Sequence, residues 1–237
     1  MNRCDFDEAY RSLIAEQAFL EREQYYQDRK ERYWNTLRRL SPFLSPGSRV
    51  LDIGGRRFAL LTQRLFRCRP KAADIDSRYR ASVESAGIVF HHLNLVQEAF
   101  RFDHPFNLVV LGEVIGHVPV PRHLVFTKLA AKLALVGRIA PTKPNLLRLH
   151  NVIRMLIAKP LFEHFVPPGK DMPPGHFTEY DVTQARWQME FAGLEVDVAE
   201  YAQLNLGGAT LSTRTIRSLL SSLLWLRPVV SQAKGAA

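Results

Sequence analysis

Cysteine is nearly absent from this 237-residue chain: only Cys4 and Cys68 occur, and no Cys-x-x-Cys pair. That excludes a disulfide-stapled secreted scaffold, argues against a zinc site and points to a reducing compartment. No apolar run approaches the roughly 18 residues of a membrane span. The N-terminus, Met1-Asn2-Arg3-Cys4-Asp5, opens with charge and has no apolar core, so no secretory signal is read and a cytoplasmic location is expected. No two histidines stand four apart, the spacing that sets two ligands on one helix face, so no metal site is expected. Acid is missing where base is dense. Arg56, Arg57, Arg64, Arg67, Arg69 and Lys71 follow one another with no acid between them, and from Arg138 to Lys170 six bases meet only Glu163. The net charge is +9. Such stretches attract phosphate- or carboxylate-bearing partners or an anionic membrane surface, or simply form a solvated face; charge alone does not choose.

What is present is an ordinary globular profile, 46% hydrophobic and 23% charged. A chain of this length buries a core without staples. Residues from about Phe6 to Leu40 have helical spacing, as one helix or two. Ser41-Pro42 and Ser45-Pro46-Gly47 break it. Strand and helix then alternate: strand Arg49–Ile53, helix Phe58–Phe66, strand Ala72–Asp74, a helix capped by Ser77 and running to Ser85, strand Ile88–Leu93, strand Phe106–Leu111, helix Pro121–Leu135 and strand Arg138–Ala140. After an interruption, helix Asp181–Ala192 and strand Leu194–Val198 resume the rhythm. This pattern predicts an α/β fold: a doubly wound, mostly parallel sheet of Rossmann-like type with helices on both faces. The expected organisation is a helical cover over residues 1–45, a Rossmann-like domain over 46–200 and a helical tail over 201–237. A helix and proline-rich loop over about 145–176 would form a lid. Within the tail, Leu219–Leu226 gives an apolar surface, with packing on the sheet, a homodimer interface or shallow membrane attachment as its uses.

Chemistry is expected at the head of the first strand. Val50-Leu51-Asp52-Ile53-Gly54-Gly55 runs an apolar strand into a glycine turn, where backbone can approach a ligand closely. Any tight strand-to-helix turn looks the same, so further elements matter. Asp74 lies 22 residues beyond Asp52, at the end of the second strand, where an acid can accept both ribose hydroxyls. Asn94 follows the third strand, placed to meet an adenine edge. Leu111-Gly112-Glu113-Val114-Ile115-Gly116-His117-Val118 closes the fourth.

These segments resemble class I S-adenosylmethionine-dependent methyltransferases, from about Arg49 to Val198. VLDIGG is similar to that family's first motif, ADID to its ribose acid, FNLVVLGEVIGHV to its fourth-strand segment, GRIAPTKPN to its fifth strand, and GHFTEYDVTQARWQMEFAGLEV to its closing helix and strand. The resemblance implies S-adenosylmethionine as cofactor, with Asp52, Gly54 and Gly55 lining its methionine end, Asp74 on the ribose and Asn94 by the adenine. Glu113 would hold the cofactor's amino group or cap the strand. His117 is the best-placed base for an oxygen acceptor, with a structural role in the loop as the alternative; His150, His164 and His176 in the lid are further candidates. His91 and His92 read as structural. The implied reaction is methyl transfer to an O or N atom of a small-molecule, sugar or lipid-like acceptor.

Departures from the family pattern qualify the activity. Arg56 and Arg57 stand where a further glycine is usual, and Arg56 would either crowd the cofactor's carboxylate or bind it. Gly116 and Asn107 replace customary acids. Pro141 falls in the fifth strand, which favours a strand edge or end, and the closing antiparallel strand is hard to find after Ala202. A catalytically weak or inactive member acting as a binding partner is therefore one rival reading. An RNA methyltransferase, which the basic stretches permit, is another.

Overall fold

The computed structural model describes residues 1–15, 23–96, 100–161, 179–201 and 226–233. Seven strands make one sheet: β1 (Arg49–Ile53), β2 (Arg69–Asp74), β3 (Val89–His92), β4 (Phe106–Gly112), β5 (Leu133–Thr142), β6 (Leu194–Tyr201) and β7 (Leu226–Ala233), in the order β3-β2-β1-β4-β5-β7-β6. The pairs β3–β2, β2–β1, β1–β4 and β4–β5 are parallel. β7 runs antiparallel to both β5 and β6. Strand order reverses between β1 and β4, so the carboxyl ends of those two strands flank the crevice where open α/β sheets bind ligands.

Strand-alternating side chains explain why the apolar residues of the central strands serve two cores. Val50, Leu108 and Val110 face one core with α3 (Arg57–Phe66) and the N-terminal helices α1 (Arg3–Tyr10) and α2 (Glu23–Leu40). Leu51, Val109 and Leu111 face the other with α5 (Arg122–Ala130) and Met189 of α7 (Val182–Phe191). All six of these strand residues are fully buried. Each contributes roughly 1.5–3 kcal/mol of burial. The N-terminal helices join the first core through aromatics: Tyr33 packs on Phe58 at 4.9 Å, and the Tyr10 hydroxyl donates to the Tyr26 carbonyl at 2.7 Å.

Several elements differ from the sequence reading. The helix expected through Leu135 stops at Ala130, and β5 begins at Leu133. Gly137 makes this turn into the sheet feasible, because a Cβ there would lie 2.6 Å from the Phe106 carbonyl oxygen, beside a register shift between Phe106 and Leu108. The Asp76 side chain, not Ser77, caps the segment after β2, which begins as a 3-10 turn and becomes helical as α4 (Arg80–Glu84). Pro141 lies opposite Leu111, next to the last residue of β5. The closing antiparallel strand exists: it is β7, so the expected helical tail is strand over Leu226–Ala233. The strand inserts between β5 and β6. Tail residues 202–225, and His164 and His176 of the expected lid, lie outside the described residues. Ahead of them α6 (Leu149–Leu156) is helical.

Candidate functional site

The residues singled out by sequence sit at the carboxyl ends of the parallel strands. Asp52, the penultimate residue of β1, is fully buried. Its Oδ2 accepts from the Ala59 amide at 2.9 Å, and its Oδ1 is buried with no hydrogen-bond partner. Burial pushes its carboxyl up to about 7, against the pull of the Ala59 amide and the nearby Arg56. Gly55 must be glycine at this point, since a Cβ would sit 2.8 Å from Asp52 Oδ1. Gly54 has φ +74, and a Cβ there would overlap the Val114 side chain. The Gly54 amide donates to the Ala73 carbonyl at 2.8 Å, which ties the turn to β2.

Asp74 ends β2. Its Oδ1 accepts from the Asp76 amide at 2.9 Å, and burial raises its pKa from the usual carboxylate value. Its Oδ2 faces Arg56 Nη1 at 3.6 Å. Arg56 itself has φ 38, a left-handed conformation costly for a side-chain residue. The guanidinium lies at the carboxyl end of β2, over the Tyr79 ring, 3.0 Å from its centroid. The sequence reading had Arg56 either crowd or bind the cofactor's carboxylate; in the structure its guanidinium faces the acid expected to bind ribose. No periodicity announces this, because it depends on the sign of one backbone angle.

Asn94 follows β3 and its Oδ1 accepts from the Val96 amide at 2.9 Å, an Asx turn. Glu113 follows β4 with φ 63, its amide donating to the Thr142 carbonyl at 3.0 Å. Its carboxylate lies 3.8 Å from Arg32 Nη1, so α2 reaches the site through a charge that the aromatic-rich sequence of that helix did not signal. His117 closes the 3-10 turn Ile115–His117, its amide donating to the Val114 carbonyl at 2.9 Å. Asn94 and His117 each stand in a local turn after their strands, at the same end of the sheet as the glycine turn. A second group gathers beyond β5: Lys143, Tyr180, Glu179 and Arg122, none singled out beforehand. Among the described residues no three of His, Cys, Asp and Glu gather as metal ligands.

The sheet order, the glycine turn and the two acids define a class of fold. No protein-family model and no curated protein matches the chain. Its fold does match solved structures of S-adenosylmethionine-dependent methyltransferases. One from Mesorhizobium loti aligns at TM-score 0.60 and 16% identity, over 85% of this chain and 97% of that one. One from Clostridium acetobutylicum aligns at 0.59 and 12%, over 97% and 98%. One from Archaeoglobus fulgidus aligns at 0.55 and 16%, over 93% and 99%. The chain therefore has the Rossmann-like fold of class I S-adenosylmethionine-dependent methyltransferases. Among the described residues, no helix is long and apolar enough to cross a membrane.

Proposed function

We propose that the protein binds S-adenosylmethionine at the carboxyl ends of β1 and β2 and transfers its methyl group to an O or N atom of a small-molecule, sugar or lipid-like acceptor. The observation that carries this reading is the unsatisfied Oδ1 of Asp52 beside a glycine turn that admits no side chain. A buried acceptor oxygen without a partner is costly, and a ligand donor relieves it. Asp52, Gly54 and Gly55 would hold the methionine end, Asp74 the ribose, Asn94 the adenine edge, and Glu113 the amino group. The bound cofactor supplies an electrophilic methyl on a sulfonium. The chain's own task is to exclude water and hold the acceptor in line, which can contribute up to about 7–11 kcal/mol. His117 is the proposed proton acceptor for an oxygen nucleophile.

Ribose binding requires Arg56 to leave Asp74. That contact favours a second reading, a weakly active or inactive methyltransferase fold that serves as a binding partner. Both readings meet one experiment, amide chemical-shift mapping with S-adenosylhomocysteine. Shifts centred on Gly54, Gly55, Asp74 and Asn94 support cofactor binding. Saturating ligand without shifts at those amides would leave only the binding-partner reading.

A further inference from the structure

Lys143 immediately follows β5, one residue beyond the Thr142 that receives the Glu113 amide. Its Nζ is buried and has no hydrogen-bond partner. It lies 4.4 Å from the centroid of the Tyr180 ring, which the Arg122 guanidinium also approaches, at 4.8 Å. The carboxylates that could neutralise it are engaged elsewhere. Glu179 accepts from Asn151 at 2.7 Å and pairs with Arg148 at 2.9 Å. Glu113 faces Arg32. Asp181 caps α7 through the Gln184 amide at 2.8 Å. An ammonium has three donors and needs acceptors when it leaves water; here the protein gives it one aromatic face, a neighbouring cation and carboxylates that attract it without hydrogen-bonding it.

We propose that Lys143, with the Tyr180 ring against its ammonium, forms an oxyanion-binding subsite at the carboxyl end of β5 that takes a carboxylate or phosphate group of the methyl acceptor. The assignment of the anion to a methyl acceptor rests on the function proposed above; the subsite itself rests on the geometry. An oxyanion supplies both the missing charge and the missing acceptors, with short charge-assisted hydrogen bonds. The Arg122 guanidinium, which approaches the same Tyr180 ring, adds a second positive charge that favours such a group. Without a ligand, burial and the Arg122 charge hold the Lys143 amine down at about 7, while Glu179, Asp181 and Glu113 pull it upward. Only the protonated amine attracts an anion. Affinity should therefore fall by about tenfold per pH unit above neutrality.

The test uses the full chain with 13C-labelled lysine, the Lys143 signal being assigned by its loss in Lys143→Arg. Sodium acetate and inorganic phosphate are titrated separately at constant ionic strength, so that general screening is held fixed. The expected result is a saturable shift of the Lys143 signal, with its titration moved to higher pH and the other lysines unmoved. Preference for acetate identifies a carboxylate site, preference for phosphate a phosphate site, and equal response an undiscriminating oxyanion site. Lys143→Met, checked for folding by circular dichroism, should weaken anion binding at least tenfold; if it does not fold, the wild-type titration decides. An unsaturable response, or one shared by all lysines, overturns the subsite. Saturable anion binding in a protein that takes no S-adenosylhomocysteine, as wild type or as Arg56→Gly, overturns the assignment to a methyl acceptor while leaving the subsite standing.

Discussion

Arg56 and Asp74 confront each other across the head of the sheet, with side chains only 6% and 17% exposed and the nearest charged atoms 3.6 Å apart. A shielded pair of this kind competes with any ribose for the same carboxylate. Replacing Arg56 with glycine removes the competitor and relaxes a left-handed backbone. S-adenosylhomocysteine should bind several-fold more tightly to Arg56→Gly than to wild type in calorimetric titrations. Weaker binding would make Arg56 a cofactor ligand instead, and equal binding would mean that the pair opens freely.

The buried carboxyl of Asp52 makes a pH prediction whose sign is fixed by its direction of shift. Its folded pKa of about 7 lies above the unfolded value of 3.8, so the folded state holds the extra proton between them. Stability from this residue is full below the unfolded value and is lost as pH rises toward 7. Asp52→Asn keeps an oxygen for the Ala59 amide and never ionises. It should raise Tm by at least ~3 °C at pH 8, about the response to 1 kcal/mol in a chain of this size, and the gain should shrink toward pH 4. A gain independent of pH would contradict the buried charge.

Two glycines with similar backbone angles should respond very differently to alanine. Gly47 has φ +82 and open space around its missing Cβ, whereas Gly54 would drive a methyl into Val114. Gly47→Ala should cost about 1–2 kcal/mol in urea denaturation, and Gly54→Ala about 2–5 kcal/mol. Val114→Ala should recover part of the second loss and none of the first.

β7 lies between β5 and β6, so deleting residues 226–237 removes an internal strand and leaves two unpaired edges. The truncated chain should lose at least several degrees in Tm and aggregate. A monomeric chain of unchanged Tm would contradict the sheet order.

The parts of the fold legible in the sequence are those in which local pattern and tertiary burial agree. Leu108–Leu111 is apolar throughout because both faces of the strand are covered, and the glycines after Asp52 mark a turn that side chains cannot make. β7 was hidden because Leu226-Arg227-Pro228-Val229-Val230-Ser231-Gln232-Ala233 carries a proline and a polar end, and a leucine-rich run of helical character precedes it. Its pairing comes from β5 and β6, far away in sequence. Leu133-Ala134-Leu135 continues a helical spacing, yet it is drawn into the sheet opposite Phe106. At the site, the acids were readable from their positions at strand ends. The Arg56–Asp74 pair, the reach of Arg32 to Glu113 and the unsatisfied Lys143 depend on three-dimensional approach that no spacing records.

The most direct test of cofactor binding at the first two strands is calorimetric titration of S-adenosylhomocysteine into wild type, Arg56→Gly and Asp74→Ala. Two ribose hydrogen bonds to a charged acceptor contribute about 1.5–3 kcal/mol each at most. The account predicts measurable binding that tightens in Arg56→Gly and weakens at least tenfold in Asp74→Ala. A dissociation constant unchanged by Asp74→Ala, or no binding even in Arg56→Gly, would contradict it.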